Sequence, residues 1–345
     1  MLKPNRIFLL FWYKLLVSLF ISLLCPVALA QMPSAQILFE KLALKAADIE
    51  VLHQGDIVSF SVNSLSDMEL TAGVVIYLPA PPIQVSALFK KDALASLDPQ
   101  LITGGIISLP ANPWVFKKFT LKAGSEEEAG FLAATPGKQF NLSTAEFDLI
   151  HAAASDPAQT ASTLYQQILW KRWLSYSQKG LKGVAPYDRG NNAFINPALD
   201  LQAAATEQDV LSAYFPELWT AWLHYPEMAL PKGVAEYYNW GNRLVQDRPT
   251  AILTHRWMIS EAQGEVILIR QFYSGHSFNA NQLFIICVPY ENGSLVFYTN
   301  HTFTDQVSGF GSAIKHFIGD NLAQKQITTL LKNMQGHFSQ LKSKS

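Results

Sequence analysis

Four apolar segments in the last third of the chain alternate between two side-chain faces, as β-strands do. Residues 263–264 read Gln-Gly and residues 292–293 read Asn-Gly between neighbouring segments. Asn-Gly is a strong signal for a two-residue hairpin turn, and such turns join antiparallel strands. The pattern therefore predicts antiparallel pairing. The four predicted strands cover residues 250–259, 265–273, 283–288 and 294–303.

The first third of the chain combines helices with further strands. Residues 35–52 have apolar positions at roughly helical spacing and are followed by a turn at Gly55. We therefore treat residues 31–64 as an N-terminal helical segment. A strand at 70–78 is followed by a proline-led helix over 83–91. Two more predicted strands cover residues 102–109 and 115–121.

The middle of the chain is predicted to be helical. Residues 143–154 and 157–179 have helix-period patterns, and Ser143 with Glu146 forms a capping-box signal. The polar, glycine-rich stretch 180–197 is longer than an ordinary connection between helices, which favours a structured loop.

Helical patterns resume after this loop and again at the end of the chain. Residues 197–223 predict a helix broken near Pro216, and residues 312–335 predict a long helix with an apolar stripe. The stripe consists of Ile314, Phe317, Ile318, Ile327, Leu330, Leu331 and Met334.

The first thirty residues are typical of a secretory signal peptide. Lys3 and Arg6 give a positive start, residues 15–24 are almost wholly apolar, and residues 28–30 read Ala-Leu-Ala before Gln31. We therefore expect cleavage before Gln31 and a periplasmic or secreted protein. Two alternatives stay open, namely a retained membrane anchor and a lipoprotein signal.

Composition excludes some functions and leaves others open. The chain has a formal net charge of −1, 15 % charged residues and no long run of Lys or Arg, so a nucleic-acid groove has no electrostatic basis. After removal of residues 1–30, Cys287 is the only cysteine and cannot form an internal disulfide. Its apolar surroundings predict a buried thiol.

The order of these elements resembles the helix-grip fold of START-like lipid-binding and polyketide-cyclase-like domains. Residues 73–85 (Gly-Val-Val-Ile-Tyr-Leu-Pro-Ala-Pro-Pro-Ile-Gln-Val) resemble the first strand and helix of that superfamily, and residues 309–319 resemble its closing helix. Residues 273–279, 304–311 and 180–189 also resemble a group of uncharacterised secreted proteobacterial proteins.

The resemblance implies an α+β fold in which an antiparallel sheet grips a long C-terminal helix. The domain would span residues 65–345, with a helical insertion at about 142–227. Such a fold implies a cavity between sheet and helix for a lipid or other apolar small molecule. Strand residues 265–273 and 283–288 are apolar on both faces, which fits either a pocket wall or an ordinary packed core.

One group of polar residues has a composition compatible with catalysis. Ser274, His276 and Asp305 lie in the loops 273–282 and 300–306, where a nucleophile, a base and an orienting carboxylate could meet. The chain has no G-x-S-x-G motif around a serine of these loops, and local side-chain-to-backbone hydrogen bonds explain such residues equally well.

The expected ligand-binding residues combine apolar walls with a polar mouth. Arg256 and Arg270 sit inside apolar strands and could hold an anionic head group or simply form ion pairs. The complete candidate set is Tyr273, His276, Asn300, Arg256, Arg270, Ile269, Phe297 and Phe317, with Ile267 and Leu295 as further wall positions.

No metal or cofactor is expected, because His255, His276, His301 and His316 are scattered without paired ligand spacing. Three functional hypotheses follow. The first is an exported, non-enzymatic protein that binds a lipid or apolar small molecule. The second is a secreted hydrolase using the two polar loops. The third is a protein–protein interaction module acting through the helical insertion.

Overall fold

The computed structural model describes residues 32–90, 96–153, 156, 158–206, 209–261, 263–305 and 312–344. Within these ranges, the side chains of residues 206, 209, 312–323, 326 and 344 are not described. Residues 32–345 form one compact unit. The predicted signal peptide lies outside the described residues.

The framework is an eight-stranded sheet in which every neighbouring pair of strands is antiparallel. The strands are β1 (Val58–Phe60), β2 (Glu69–Leu78), β3 (Leu101–Ile106), β4 (Tyr187–Gly190), β5 (Ala193–Ile195), β6 (Ala235–Val245), β7 (Arg248–Glu261), β8 (Gly264–Ser274), β9 (Ala280–Tyr290) and β10 (Gly293–Phe303). The strand order of the sheet is β1-β2-β10-β9-β8-β7-β6-β3, and β4 and β5 form a separate hairpin.

Ten α-helices are described in these parts of the chain. They are α1 (Ala35–Lys41), α2 (Ala46–His53), α3 (Pro82–Lys90), α4 (Glu126–Leu132), α5 (Thr144–Ala153), α6 (Ala161–Lys179), α7 (Pro197–Thr206), α8 (Asp209–Tyr214), α9 (Pro216–Leu223) and α10 (Ser312–Lys344).

One side of the sheet packs against α3 and α10, and we call it the helix face. Ile267 and Ile285 of this face share an apolar cluster with Phe89 of α3 and with Leu331 and Met334 of α10. Every second residue of the central strands belongs to this cluster, as strand geometry requires. The C-terminal half of α10 is therefore held by burial of its apolar stripe.

The opposite side of the sheet, which we call the insertion face, packs against the helical insertion. Leu253 of β7 and Phe272 of β8 share a second apolar cluster with Leu164 and Ile168 of α6. Both sheet faces are thus covered, which explains why the central strands are apolar at successive positions rather than alternately apolar and polar.

This architecture confirms the predicted α+β class, with an antiparallel sheet, a long C-terminal helix and an inserted helical block. The helix predicted at 83–91 and the break near Pro216 are confirmed. The predicted loop 180–197 is ordered, because it contains the hairpin of β4 and β5.

Two predicted elements were wrong, and one long strand was not predicted. Residues 115–121 are not a strand, because Asn112 caps a short 3₁₀ helix, Pro113–Phe116, through the Trp114 N–H. Residues 35–52 form two helices, α1 and α2, separated near Ala43, whose φ is 54°. Strand β6 was missed because its central Asn-Trp-Gly-Asn sequence contains residues that strands disfavour.

Candidate functional site

The centre of the helix face is an apolar floor that crosses the sheet in register. Met258, Ile267, Ile285, Tyr298 and Val74 are successive cross-strand partners from β7 to β2. All five belong to the apolar cluster under α10. The floor is therefore a continuous surface built from one residue of each strand.

A row of polar side chains crosses the same face nearer one end of the sheet. Cross-strand pairing aligns one residue from each of β6, β7, β8, β9 and β10. On β7 to β10 this residue lies four positions from the floor residue of the same strand. We call these five residues the polar row. They are Asn239, Thr254, Gln271, Asn281 and Thr302.

Hydrogen bonds order part of the polar row. Asn281 Nδ2 donates to Asn300 Oδ1 at 2.8 Å and to Thr302 Oγ1 at 2.7 Å, and Asn300 Nδ2 also donates to Thr302 Oγ1. Asn281 Oδ1 is buried and has no hydrogen-bond partner among the described residues. This end of the helix face can therefore accept a hydrogen bond from a further donor.

Accessibility increases along the helix face towards the polar row. Ile267 and Ile285 are fully buried at 0 % exposure, whereas Ile269 and Leu283, one step closer to the row, each retain 7 %. The gradient shows that the apolar floor is closed at its centre and less completely covered beside the row.

The C-terminal half of α10 closes the other end of the helix face. Gln335 Nε2 donates to the Tyr77 carbonyl of β2 at 2.9 Å and to the Gly55 carbonyl at 3.0 Å. Lys332 Nζ also donates to Gly55, at 2.7 Å, and pairs with Asp56. These contacts fix α10 along β2. The predicted wall residues Ile314, Phe317 and Ile318 lie outside the described side chains.

The structure divides the predicted ligand-binding residues between the two faces. Ile269, Asn300 and Arg256 lie on the helix face, and Arg256 donates to the Phe89 carbonyl at the C-terminal end of α3. Leu295 and Phe297 alternate with Val296, which belongs to the helix-face cluster. They therefore point to the opposite face, where Phe297 contacts Phe39 of α1.

Tyr273 also lies on the insertion face, contrary to simple alternation from Ile267 and Ile269. The pairing of β7 with β8 shifts between Leu253 and Thr254, so that an extra β8 residue, Phe272, separates Gln271 from Tyr273. Such a bulge reverses the side on which the following residues point. Tyr273 is consequently buried in the insertion-face cluster, and burial raises its pKa.

On the insertion face, the ring of Tyr273 lies beneath the buried guanidinium of Arg172. The Arg172 guanidinium is 4.3 Å from the Tyr273 ring centroid and 5.3 Å from that of Tyr187. Arg172 Nη2 donates to Glu146 Oε2, which also accepts from the Ser143 backbone. This cluster joins α5 and α6 to the sheet and fixes the insertion on its face.

Arg270 occupies the interior of the insertion face. Its guanidinium lies 4.4 Å from the Trp222 ring centroid, donates through Nε to Gln282 Oε1 and donates through Nη1 to the Tyr176 hydroxyl. The Tyr176 hydroxyl in turn lies 2.9 Å from His255 Nδ1. A hydrogen-bonded chain therefore starts at a buried cation and continues through two aromatic residues.

His255 connects this chain to a half-buried carboxylate. Its Nε2 lies 2.8 Å from Glu236 Oε1, and burial lowers the pKa of His255 to about 4 despite that contact. Burial alone would raise the pKa of Glu236, but hydrogen bonds from His255, Trp257 and Tyr238 outweigh it and leave the pKa lowered. Neutral His255 therefore donates from Nε2 to Glu236 and accepts from Tyr176.

The three catalytic candidates lie at or just beyond the C-terminal ends of β8 and β10, which are interior strands of the sheet, and each contacts other groups. The Ser274 hydroxyl donates to the His276 carbonyl at 2.8 Å rather than to the imidazole. His276 Nε2 lies 2.8 Å from the Pro249 carbonyl, and Asp305 pairs with Arg189 at 2.9 Å. These contacts order the loops locally, and a nucleophile–base–carboxylate relay stays a prediction.

Two further observations bear on chemistry. Cys287 is buried on the helix face, and burial raises the pKa of its thiol to about 12, so the thiol is protonated at neutral pH. Within the described ranges, no group of three His, Cys, Asp or Glu side chains is arranged to hold a metal ion. Nor does any described helix have the length and hydropathy to cross a membrane.

The polar row was missed at the level of sequence, apart from Asn281, which belongs to a polar stretch. Asn239 and Thr254 lie in the interior of β6 and β7, and Gln271 lies three residues before the end of β8, so the three positions do not form a polar stretch in the sequence. The available signal was their period-two position along each strand. This alternation identifies a shared site only when the register between the strands is known, because a shift of one residue in the pairing moves a side chain to the other face of the sheet.

Comparisons with known proteins give little further information. No protein-family model matches the chain, and no curated protein matches it. Among solved structures, it is similar to a START superfamily protein from Mycobacterium smegmatis, at 16 % identity over 41 % of this chain and 88 % of that one. The TM-score is 0.23, so functional arguments rest on this chain's own residues.

Proposed function

We propose that this chain is an exported, non-enzymatic protein that binds an amphipathic small molecule, such as a lipid, between the helix face and α10. The observation that carries the proposal is the polar row, which five strands align beside a continuous apolar floor. An apolar floor bordered by a few convergent polar groups is the usual composition of a small-molecule site.

The buried amide of Asn281 in the polar row supports a ligand rather than a plain core. A core built only for stability is better served by apolar side chains, because burying a polar group without a partner costs free energy. Asn281 Oδ1 is such a group among the described residues. A ligand hydroxyl or amide that donates to this oxygen would remove the cost.

The gradient of accessibility gives the ligand an orientation. Its apolar part would lie over Ile269 and Leu283, which are less covered than the floor centre. Its polar end would face Asn281 and Asn300, whose side chains are neutral. Because the described residues of the row are uncharged and Asn281 Oδ1 needs a donor, the polar end is expected to be a hydroxyl or amide rather than a phosphate.

Export is the second part of the proposal. Residues 1–30 have the positive start, apolar core and Ala-Leu-Ala end of a cleaved signal, and cleavage would give a mature chain beginning at Gln31. N-terminal sequencing of the protein recovered from a bacterial periplasm tests this point. A mature N-terminus at Gln31 supports export, and Met1 retained in the membrane fraction contradicts it.

Extraction of the purified mature chain tests ligand binding. Organic-solvent extraction followed by mass spectrometry should recover an apolar or amphipathic compound in near-stoichiometric amount. The matched control is the same preparation unfolded in urea, washed and refolded, which should yield no compound and should rebind the extracted one. Recovery of nothing, together with no binding of a fluorescent fatty alcohol by refolded protein, would contradict the proposal.

A further inference from the structure

Arg270 has no counter-ion among the described residues, unlike Arg172 and Arg189, whose side chains are also buried. Arg172 pairs with Glu146 and Arg189 with Asp305. Arg270 is 0 % exposed, yet no carboxylate of the described residues lies within ion-pair distance of it. Burial of a cation without an opposite charge is strongly unfavourable.

Two hydrogen-bond donors at this position also lack partners. Arg270 Nη2 is buried and has no hydrogen-bond partner among the described residues, and the same holds for Trp222 Nε1. The guanidinium lies over the Trp222 ring, so the two donors belong to adjacent side chains. Buried donors of this kind are normally satisfied, and both need an acceptor rather than another donor.

The neighbouring polar groups do not neutralise the charge. Gln282 and Tyr176 offer dipoles only, and His255 is neutral beyond Tyr176. The carboxylate of Glu236 is separated from Arg270 by both the Tyr176 hydroxyl and the His255 ring. A formal negative charge next to Arg270 Nη2 would therefore supply the counter-ion that the described residues do not provide.

We propose that the insertion face binds a small monovalent anion, of the halide class, beside Arg270 Nη2 and Trp222 Nε1. The neighbouring side chains of Tyr176, Gln282 and His255 are themselves 0 % exposed, so an ion bound there would be enclosed by protein. The site lies on the opposite side of the sheet from the polar row. It is therefore independent of the amphipathic ligand.

Bromide is the direct probe, because it substitutes for chloride and scatters anomalously. Crystals of the full mature chain grown in sodium bromide should show an anomalous peak adjacent to Arg270 Nη2. A peak of water with no anomalous signal at that position would overturn the proposal. This measurement uses the unmodified protein and does not depend on whether any variant folds.

A second measurement uses thermal unfolding. Replacing sodium gluconate by sodium chloride at equal ionic strength should raise the melting temperature by roughly 2–4 °C with a saturating dose dependence. Arg270→Met should abolish this chloride dependence, while Arg172→Met, which removes a carboxylate-paired arginine, should retain it. Equal melting temperatures of wild type in both salts would contradict the proposal.

Discussion

Asn281 and Thr302 face each other across β9 and β10, and Asn281 Nδ2 donates to Thr302 Oγ1 at 2.7 Å. The same amide group leaves Oδ1 without a partner among the described residues. One side chain thus fixes the geometry of the polar row and presents an acceptor to the helix face. This relationship links the strand register to the proposed ligand site.

The first prediction removes this acceptor. Asn281→Leu should weaken binding of the extracted ligand by about 5- to 10-fold, because one hydrogen bond to the polar end is lost. Isothermal titration of ligand-free protein measures the change. Gln340→Leu, at an exposed position of α10, is the control and should bind as wild type does. Unchanged affinity in Asn281→Leu would exclude a contact between ligand and row.

The second prediction concerns the attachment of the inserted hairpin. Arg189 of β4 pairs with Asp305 beyond β10 at 2.9 Å, and both side chains are about nine-tenths buried. Arg189→Met should lower the free energy of unfolding by about 3 kcal/mol or more, because Asp305 then loses its main charge partner in the interior. Urea unfolding followed by tryptophan fluorescence measures this.

The control for that experiment is an exposed ion pair of the same insertion. Lys182 pairs with Glu227 at the surface, and Lys182→Met should leave the unfolding free energy close to that of wild type, because water screens an exposed pair. The double variant Arg189→Met with Asp305→Asn should recover part of the loss. Equal stability of Arg189→Met and Lys182→Met would show that the buried Arg189–Asp305 pair does not anchor the hairpin.

The sequence predicted β2, β3 and β7 to β10 of this sheet but missed β1 and β6, and it did not predict the composition of the two faces. Alternation within β10 correctly places Leu295 and Phe297 on one face, because the geometry of a single strand determines which of its side chains share a face. Placing them opposite Ile269 required the register between strands, which turn signals do not specify. Tyr273 was assigned to the wrong face because the extra residue Phe272 reverses alternation, and no local signal marks that bulge.

The two arginines within strands, Arg256 and Arg270, show the same limit of prediction from sequence. Arg256 and Arg270 both interrupt apolar segments, and nothing in the sequence distinguishes a helix-capping contact from a buried unpaired cation. The difference arises from tertiary packing. Arg256 meets the end of α3, whereas Arg270 meets Trp222 of α9.

The third prediction follows from the buried histidine after β8. Burial, together with the positive charge of Arg248, lowers the pKa of His276 to about 4 from its ordinary 6.5. In the unfolded chain His276 is therefore protonated below about pH 6.5, whereas in the folded chain it is protonated only below about pH 4. Stability should fall by about 3 kcal/mol across this window from this residue alone.

His276→Gln tests that contribution because glutamine does not titrate and keeps a donor for the Pro249 carbonyl. Urea unfolding at pH 4, 5, 6 and 7 should show a shallower loss of stability on acidification than in wild type. An identical pH profile in the variant would mean that His276 is protonated as readily in the folded chain as in the unfolded one.

The fourth prediction concerns Asp200, whose contribution to the pH dependence of stability has the opposite sign to that of His276. Burial, with the negative charges of Glu69 and Asp305 nearby, raises the pKa of Asp200 from 3.8 to about 6. The folded chain then holds a proton that the unfolded chain releases, so this residue's contribution to stability is present below pH 3.8 and is lost as pH rises to about 6. Asp200→Asn should therefore gain stability relative to wild type on going from pH 4 to pH 7. A constant difference between the two across that range would contradict it.

The central claim is that the helix face holds the ligand, and two neighbouring residues of β8 test it. Ile269 points to the helix face and keeps 7 % exposure, whereas Leu268 points to the other face and is 1 % exposed. Titrating the extracted ligand into Ile269→Trp and Leu268→Trp, with thermal melts of both, is the most direct measurement. We predict that Ile269→Trp loses binding with little loss of stability. We also predict that Leu268→Trp is destabilised by about 1–3 kcal/mol through overpacking and still binds. Severe destabilisation of Ile269→Trp, with no ligand bound by wild type, would show a packed core and contradict the account.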